Sequence, residues 1–207
     1  MLHPTEVTYC LYMPVSTPDN PNIMLNYVER PDLAFVLPLI HRIREIEAGV
    51  FKDRYVYLTA KRMYVGPAVT PNRPGWHADG FGTDDINYIW YDCLPTILSS
   101  GEFYVDEDDA KSLAQFEEQA ERQPIYTIAP NTLIRLTPAH VHRVQIPTEQ
   151  MMRTFVKVSL SKEQYNLAGN STNPAIKVWR TYPREVVRNS PISSNKDFHN
   201  PIDPHLQ

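Results

Sequence analysis

In the segment Arg73-Pro74-Gly75-Trp76-His77-Ala78-Asp79-Gly80, a histidine and an aspartate stand two residues apart. On an extended backbone, side chains at i and i+2 leave the same face. His77 and Asp79 therefore offer an imidazole nitrogen and a carboxylate oxygen to one point in space, a combination suited to a borderline divalent cation. Further on, Pro138-Ala139-His140-Val141-His142-Arg143-Val144 carries two more imidazoles, again two apart and on one face of a strand. Geometry alone does not separate His140 from His142 as a third ligand. Two imidazoles and one carboxylate on three vertices of an octahedron leave the opposite face open for chemistry.

A cation pattern follows. Arg153 lies eleven residues after His142, and Arg153, Phe155, Lys157 and Ser159 share one strand face. Met152, Thr154, Val156, Val158 and Leu160 form the other, mostly apolar face. Burying Arg and Lys is costly unless anions meet them, so the pattern points to a pocket; the competing reading is a solvated outer sheet face. Asn87, Tyr88 and Trp90, on a strand dense in aromatics, are candidate cavity residues, although aromatics on a strand equally build core. Arg73 is either a substrate contact or an exposed loop charge.

His77-x-Asp79, a distant His and an Arg about ten residues later resemble the Fe(II)/2-oxoglutarate-dependent oxygenase superfamily, and two His with one carboxylate is the ligand set of non-haem Fe(II) oxygenases. The resemblance runs from about Arg73 to Ser161, less than half of the chain. It implies a double-stranded β-helix with Fe(II) on His77, Asp79 and His142, since the spacing to Arg153 favours His142. His140 then becomes a pocket or substrate-side residue. 2-Oxoglutarate would be the co-substrate, its far carboxylate gripped by Arg153 through paired hydrogen bonds. Lys157 shares or replaces that role, and Asn87 and Tyr88 are further co-substrate candidates. Trp90 and Arg73 join His140 as substrate candidates. Many relatives carry Ser or Thr two residues after the Arg; here the position is Phe155. A carboxylate at Asp79 implies hydroxylation or oxidative demethylation rather than halogenation. The implied substrate is a small molecule, a protein side chain or a nucleobase. Two other classes stay open: a cupin-type metalloenzyme using His77, His140 and His142 without 2-oxoglutarate, and a non-enzymatic β-sandwich in which His77 and Asp79 are turn residues.

The elements that must position these residues are short. A strand is expected near Val7–Met13. Asp32 is a candidate cap for a helix carrying Val36, Leu37, Ile40, Ile43 and Ile46 at helical spacing, beginning or kinking at Pro38 and stopping at Gly49. His41 on that helix should face solvent. Alternation predicts a long strand from Arg54 to Val65 and another over Ile86–Tyr91. Glu102–Val105 reads as a short strand, and Ala110–Arg122 as a surface helix after the acidic cluster 106–109. Strands at Ile125–Ile128, Thr132–Thr137, Val141–Ile146 and Met151–Leu160 follow, broken by proline turns. The expected fold is mainly β with flanking helices, a jelly roll of the cupin-like, double-stranded β-helix kind. Ile176–Val187 may only be an edge strand because of Pro183. The expected organisation is one domain over 1–188 and a tail over 189–207, rich in Pro, Asn, Ser and His.

Composition sets the outer bounds. The chain has 207 residues, and nineteen Pro against seven Gly imply many short elements rather than long helices. A net charge of -4 argues against binding long nucleic acid through its phosphates. Cys10 and Cys93 form no C-x-x-C pair, consistent with a reducing, cytoplasmic setting. The N-terminus lacks a signal-peptide pattern, and the apolar run Leu33 to Ile40 is too short for a bilayer, so no membrane role is expected.

Overall fold

A computed structural model describes residues 6–25, 29–70, 75–177 and 179–183. The strands are β1 (Thr8–Ser16), β2 (Tyr55–Val65), β3 (Ile86–Tyr91), β4 (Ile97–Ser99), β5 (Ile125–Thr127), β6 (Ile134–Leu136), β7 (His142–Arg143) and β8 (Met151–Ser161). Helices α1 (Leu37–Ile46), α2 (Ala48–Phe51) and α3 (Asp109–Ala120) flank them, and a 3-10 turn over Pro31–Val36 leads into α1.

The strands form two sheets. The larger has the order β1-β2-β8-β3-β6 and the smaller β5-β4-β7, every pairing antiparallel. A bridge from His77 to His142 adds the His77 segment beside β7. Neighbours in each sheet are far apart in sequence, with β2 and β3 both paired to β8. Two facing sheets wound in this way make a double-stranded β-helix, the jelly roll of cupin-like proteins.

Alternation then decides which side chains meet. Val156, Val158 and Leu160 of β8 pack with Val56, Leu58 and Ala60 of β2 and with Ile40 and Ile43 of α1 in one continuous core. This is the outer face of the large sheet, roofed by the helix. Ile89, Tyr91, Leu98, Ile134, Leu136 and Phe155 form a second cluster between the two sheets. A third, built from Trp76, Ala78, Val141, Phe116 and Ala120, lies where α3 covers the back of the small sheet.

Several boundaries differ from expectation. Pro38 does stand in the first turn of α1, where its missing N–H costs nothing. Asp32 does not cap the helix: its carboxylate takes two hydrogen bonds from Arg30. The chain passes straight from α1 into α2, so Gly49 lies inside a helical turn rather than stopping one. Residues 102–105 form no strand; Phe103 instead packs edge-on against Phe116, and the strand of this region is β4. Of the expected edge strand over 176–187, the described residues show only the bridge Leu167 to Tyr182. His41 is exposed, as expected. The expected tail over 189–207 lies outside the described residues. No helix among the described residues is long and apolar enough to cross a membrane.

Candidate metal centre

The strand bearing His77 and Asp79 alternates between two environments. Trp76 and Ala78 turn outward into the cluster under α3, so His77 and Asp79 turn inward. Glu117 of α3 accepts a hydrogen bond from the Trp76 N–H at 2.9 Å, and the Arg143 guanidinium lies 4.7 Å from the Trp76 ring centre. The helix thus clamps the back of the segment that presents the two side chains. Gly80 closes the turn with φ of +74°, and a Cβ there would stand 2.6 Å from the Cβ of Asp85. Only glycine combines that dihedral with that approach.

Inside the barrel, donor atoms of His77, Asp79 and His142 lie within 4.8 Å of one another. The antiparallel bridge between residues 77 and 142 brings the two imidazoles side by side, with ring centres 4.6 Å apart. Each imidazole is oriented by its own loop. His77 Nδ1 donates to the Gly75 carbonyl and His142 Nδ1 donates to the His140 carbonyl, both at 2.9 Å. A carbonyl oxygen only accepts, so each ring carries a proton on Nδ1, which in a neutral imidazole leaves Nε2 as the lone-pair atom. This is the tautomer a metal ligand needs, fixed by backbone partners.

Electrostatics favour the same state. Burial pushes the His77 imidazole down to about 4, and the adjacent His142 ring adds to that shift, so it is neutral at physiological pH. Burial opposes ionisation of Asp79, yet the Lys157 ammonium and the His142 ring hold its carboxyl well below the usual carboxylate range. Asp79 Oδ2 sits 3.0 Å from Lys157 Nζ and 3.7 Å from His142 Nε2. Two imidazoles and one carboxylate, converging at one point, suit Fe(II), Mn(II) or a similar borderline cation.

The other expected residues fall into distinct places. His140 is not part of the cluster: its Nδ1 accepts from the Thr137 N–H at 3.1 Å, and Thr137 Oγ1 lies 2.9 Å from the same atom. The His77, His140 and His142 set is therefore not brought together. The face carrying Arg153, Phe155, Lys157 and Ser159 points into the barrel and not to solvent, since Lys157 reaches Asp79 and Phe155 joins the inter-sheet cluster. Arg153 is 2% exposed, and its Nε and Nη2 donate to the carbonyls of Cys93 and Leu94 at 3.3 and 3.2 Å. Burial pushes its guanidinium down to about 10. It lines a narrow cleft with Lys61, Met63, Val65 and Phe155, one inward-facing position beyond Phe155 from Lys157.

Asn87 also points inward, where Oδ1 accepts from Ser159 Oγ at 2.6 Å and Nδ2 is buried with no partner among the described residues. Tyr88 and Trp90 do not line the site. They share the outer face with α1, and the Tyr88 hydroxyl donates to Glu47 at 2.7 Å. The reason is strand parity: their odd-numbered neighbours take the inward positions. Arg73 lies outside the described residues.

Tyr12 was not legible as a site residue. A register shift in β1 between Cys10 and Met13 and a φ of +45° turn it into the barrel, where its hydroxyl meets Lys157 Nζ at 3.0 Å. Bulged strands often re-aim a side chain in this manner. Nothing in Tyr9-Cys10-Leu11-Tyr12-Met13 announces the bulge.

No protein-family model matches the sequence, and no curated protein matches it. Among solved structures, the chain is similar to the non-heme alpha ketoglutarate dependent epimerase SnoN from nogalamycin biosynthesis, at 10% identity and a TM-score of 0.43. That match covers 64% of this chain and 60% of SnoN, so the chain spans about three fifths of that protein's length. EvdO2 from Micromonospora carbonacea var. aurantiaca matches at 11% identity and a TM-score of 0.40, over 73% of this chain and 67% of its own. A cupin protein from Bacteroides fragilis matches at 9% identity and a TM-score of 0.29, over 53% of this chain and 71% of its own.

Proposed function

We propose that this protein is an Fe(II)- and 2-oxoglutarate-dependent oxygenase that hydroxylates or oxidatively demethylates an organic substrate. The observation that carries the reading is the inward-facing His77, Asp79 and His142 set, with both Nδ1 atoms committed to backbone carbonyls so that Nε2 is the atom each ring turns toward the cluster. Such a set occupies one face of an octahedral ion and leaves the other face for a chelating ligand and O2.

The residues present suit both groups. His77, Asp79 and His142 would hold the metal. The inward cations of β8, Arg153 and Lys157, are the groups that would meet a dicarboxylate: Arg153 has no carboxylate hydrogen-bond partner among the described residues, and Lys157, paired with Asp79, has a further N–H to donate. Arg153 bonds only to carbonyls among the described residues, with guanidinium N–H groups left over. Iron and 2-oxoglutarate bound there would supply O2 activation coupled to decarboxylation. The chain's own work is to fix the imidazole tautomers, keep Asp79 ionised and exclude water with the Phe155 cluster. Phe155, between the two cations, limits how a ligand could stretch toward Arg153. It favours a second reading in which the metal acts without 2-oxoglutarate.

An anaerobic titration of Fe(II)-loaded protein with 2-oxoglutarate tests the proposal through the visible metal-to-ligand charge-transfer band. The expected result is a saturable band, lost in His142→Ala and kept in His140→Ala. In Arg153→Ala half-saturation should shift upward by about tenfold, the scale of a lost charge-assisted hydrogen bond. Bound iron with no band would overturn the 2-oxoglutarate reading in favour of the second one. Absence of iron binding would overturn both.

A further inference from the structure

The metal centre holds its carboxylate in an unusual partnership. Lys157, 7% exposed, places Nζ 3.0 Å from Asp79 Oδ2, so the one acidic ligand is already matched by an ammonium. The ammonium is fixed from its other side by the Tyr12 hydroxyl at 3.0 Å, and lies 4.8 Å from the Tyr12 ring centre. Tyr12 is held in turn by its strained backbone and by its N–H, which donates to Thr59 Oγ1 at 3.0 Å. A lysine ammonium has three N–H donors. Two are accounted for, and the third has no recorded partner among the described residues.

Charge counting shows the consequence. The one acidic ligand, Asp79, is matched by Lys157, and Arg153 stands at a further inward position of the same strand, β8. The ligand set itself thus offers a divalent ion no net negative charge. A doubly charged ion placed beside a buried ammonium is poorly compensated, because desolvated charge is costly unless paired.

Resting on the metal-site reading above, we propose that Lys157 makes the site bind its metal and an anionic chelating ligand as a mutually dependent pair, and that Tyr12 is the positioning residue that holds Lys157 to this task. The ammonium disfavours the bare cation and favours the complex in which a carboxylate has arrived at the open face within reach of the third N–H. Binding free energies are reciprocal, so the anion tightens the metal by the same factor as the metal tightens the anion. The ligand class is a small chelating carboxylate, such as a 2-oxo acid.

The test measures Mn(II) affinity by the electron paramagnetic resonance of the free ion. It is run with and without oxalate, with the solution Mn(II)–oxalate complex accounted for. In the unaltered protein, oxalate should tighten Mn(II) by about tenfold or more, within the usual range of coupling between sites. In Lys157→Met, Mn(II) alone should bind about tenfold more tightly than to the unaltered protein, and oxalate should add less than about threefold. Lys157→Arg should restore the coupling, and Tyr12→Phe should lower it. Unaltered Mn(II) affinity and coupling in Lys157→Met would overturn the proposal. If that variant does not fold, an unchanged coupling factor in Tyr12→Phe overturns it. Failure of the unaltered protein to bind Mn(II) would overturn the metal site itself. Intact coupling without a charge-transfer band on 2-oxoglutarate would overturn only the choice of co-substrate.

Discussion

His77 and Asp79 are both held below their ordinary values by their environment, and the consequences for stability separate by pH. The His77 imidazole is pushed to about 4 in the folded protein against about 6.5 in an unfolded chain. Between those values the unfolded state binds more protons, so the metal-free protein loses stability as pH falls from about 6.5 toward 4. Asp79, held below the usual range, adds its own loss only below about 3.8, where the unfolded carboxyl protonates. Urea unfolding midpoints measured across pH 7 to 4 in the presence of chelator check this. In His77→Asn the slope through that window should be smaller than in the unaltered protein, and an equal slope would show that burial at residue 77 is not its source. At this scale the sequence was informative about which side chain types converge. His-x-Asp on an extended segment already implies two donors on one face, and Phe155 beside Arg153 already marked a departure. Parity could not separate His140 from His142, since both face the same way; only the resemblance, through the spacing to Arg153, favoured His142. What separates them is a backbone bridge from residue 77 to residue 142 and a turn that returns His140 to Thr137.

At the scale of the element, parity rather than residue type decides which aromatic side chains reach the site. Along β3, Asn87, Ile89 and Tyr91 point between the sheets, while Tyr88 and Trp90 pack under α1. Tyr88 forms a small network there: its hydroxyl and the Arg135 Nε both donate to Glu47 Oε1 at 2.7 Å. Burial and the Glu47 carboxylate push the Tyr88 phenol up to about 12, so it remains a donor throughout the physiological range. Tyr88→Phe should therefore lower stability by about 1.5–3 kcal/mol, as for a hydrogen bond to a charged acceptor, and leave Mn(II) affinity unchanged. Chemical denaturation and a metal titration on the same variant check both halves; a changed affinity would return Tyr88 to the site. Strand existence was readable from alternation over Tyr55–Val65, Ile86–Tyr91 and Met151–Ser161 because these are long. The three-residue β4 was not, since three residues carry too little pattern, and Glu102–Val105 looked the better strand until Phe103 was needed against α3.

For the whole molecule, the outer core of the large sheet supports the candidate metal centre on its inner face. β8 is shared by both functions: Val156, Val158 and Leu160 anchor it to α1 and to β2, and Arg153 and Lys157 project from its other side. Ile43 is fully buried in that contact. Ile43→Ala should cost about 2–5 kcal/mol, the usual range for a cavity of that size. Because α1 covers the strand that carries both cations, the melting temperature and the Mn(II)–oxalate coupling should be measured together. A stability loss with retained coupling is expected, as the helix side is separated from the site by the sheet.

The sequence by itself determined the class of fold and the chemical types at its centre. Period-two patterning and proline turns specify many short strands, and apolar-against-charged alternation on 152–160 separates a core face from one that needs either a polar pocket or solvent. Those are local properties, written in adjacent residues. Only the tertiary structure decided which histidine joins His77 and Asp79, that Lys157 stands against Asp79, and that Tyr12 reaches into the barrel. Each of these is a meeting between segments more than sixty residues apart in the chain. Such meetings depend on sheet order, register and a bulge in β1, and no local pattern encodes the partner across a sheet.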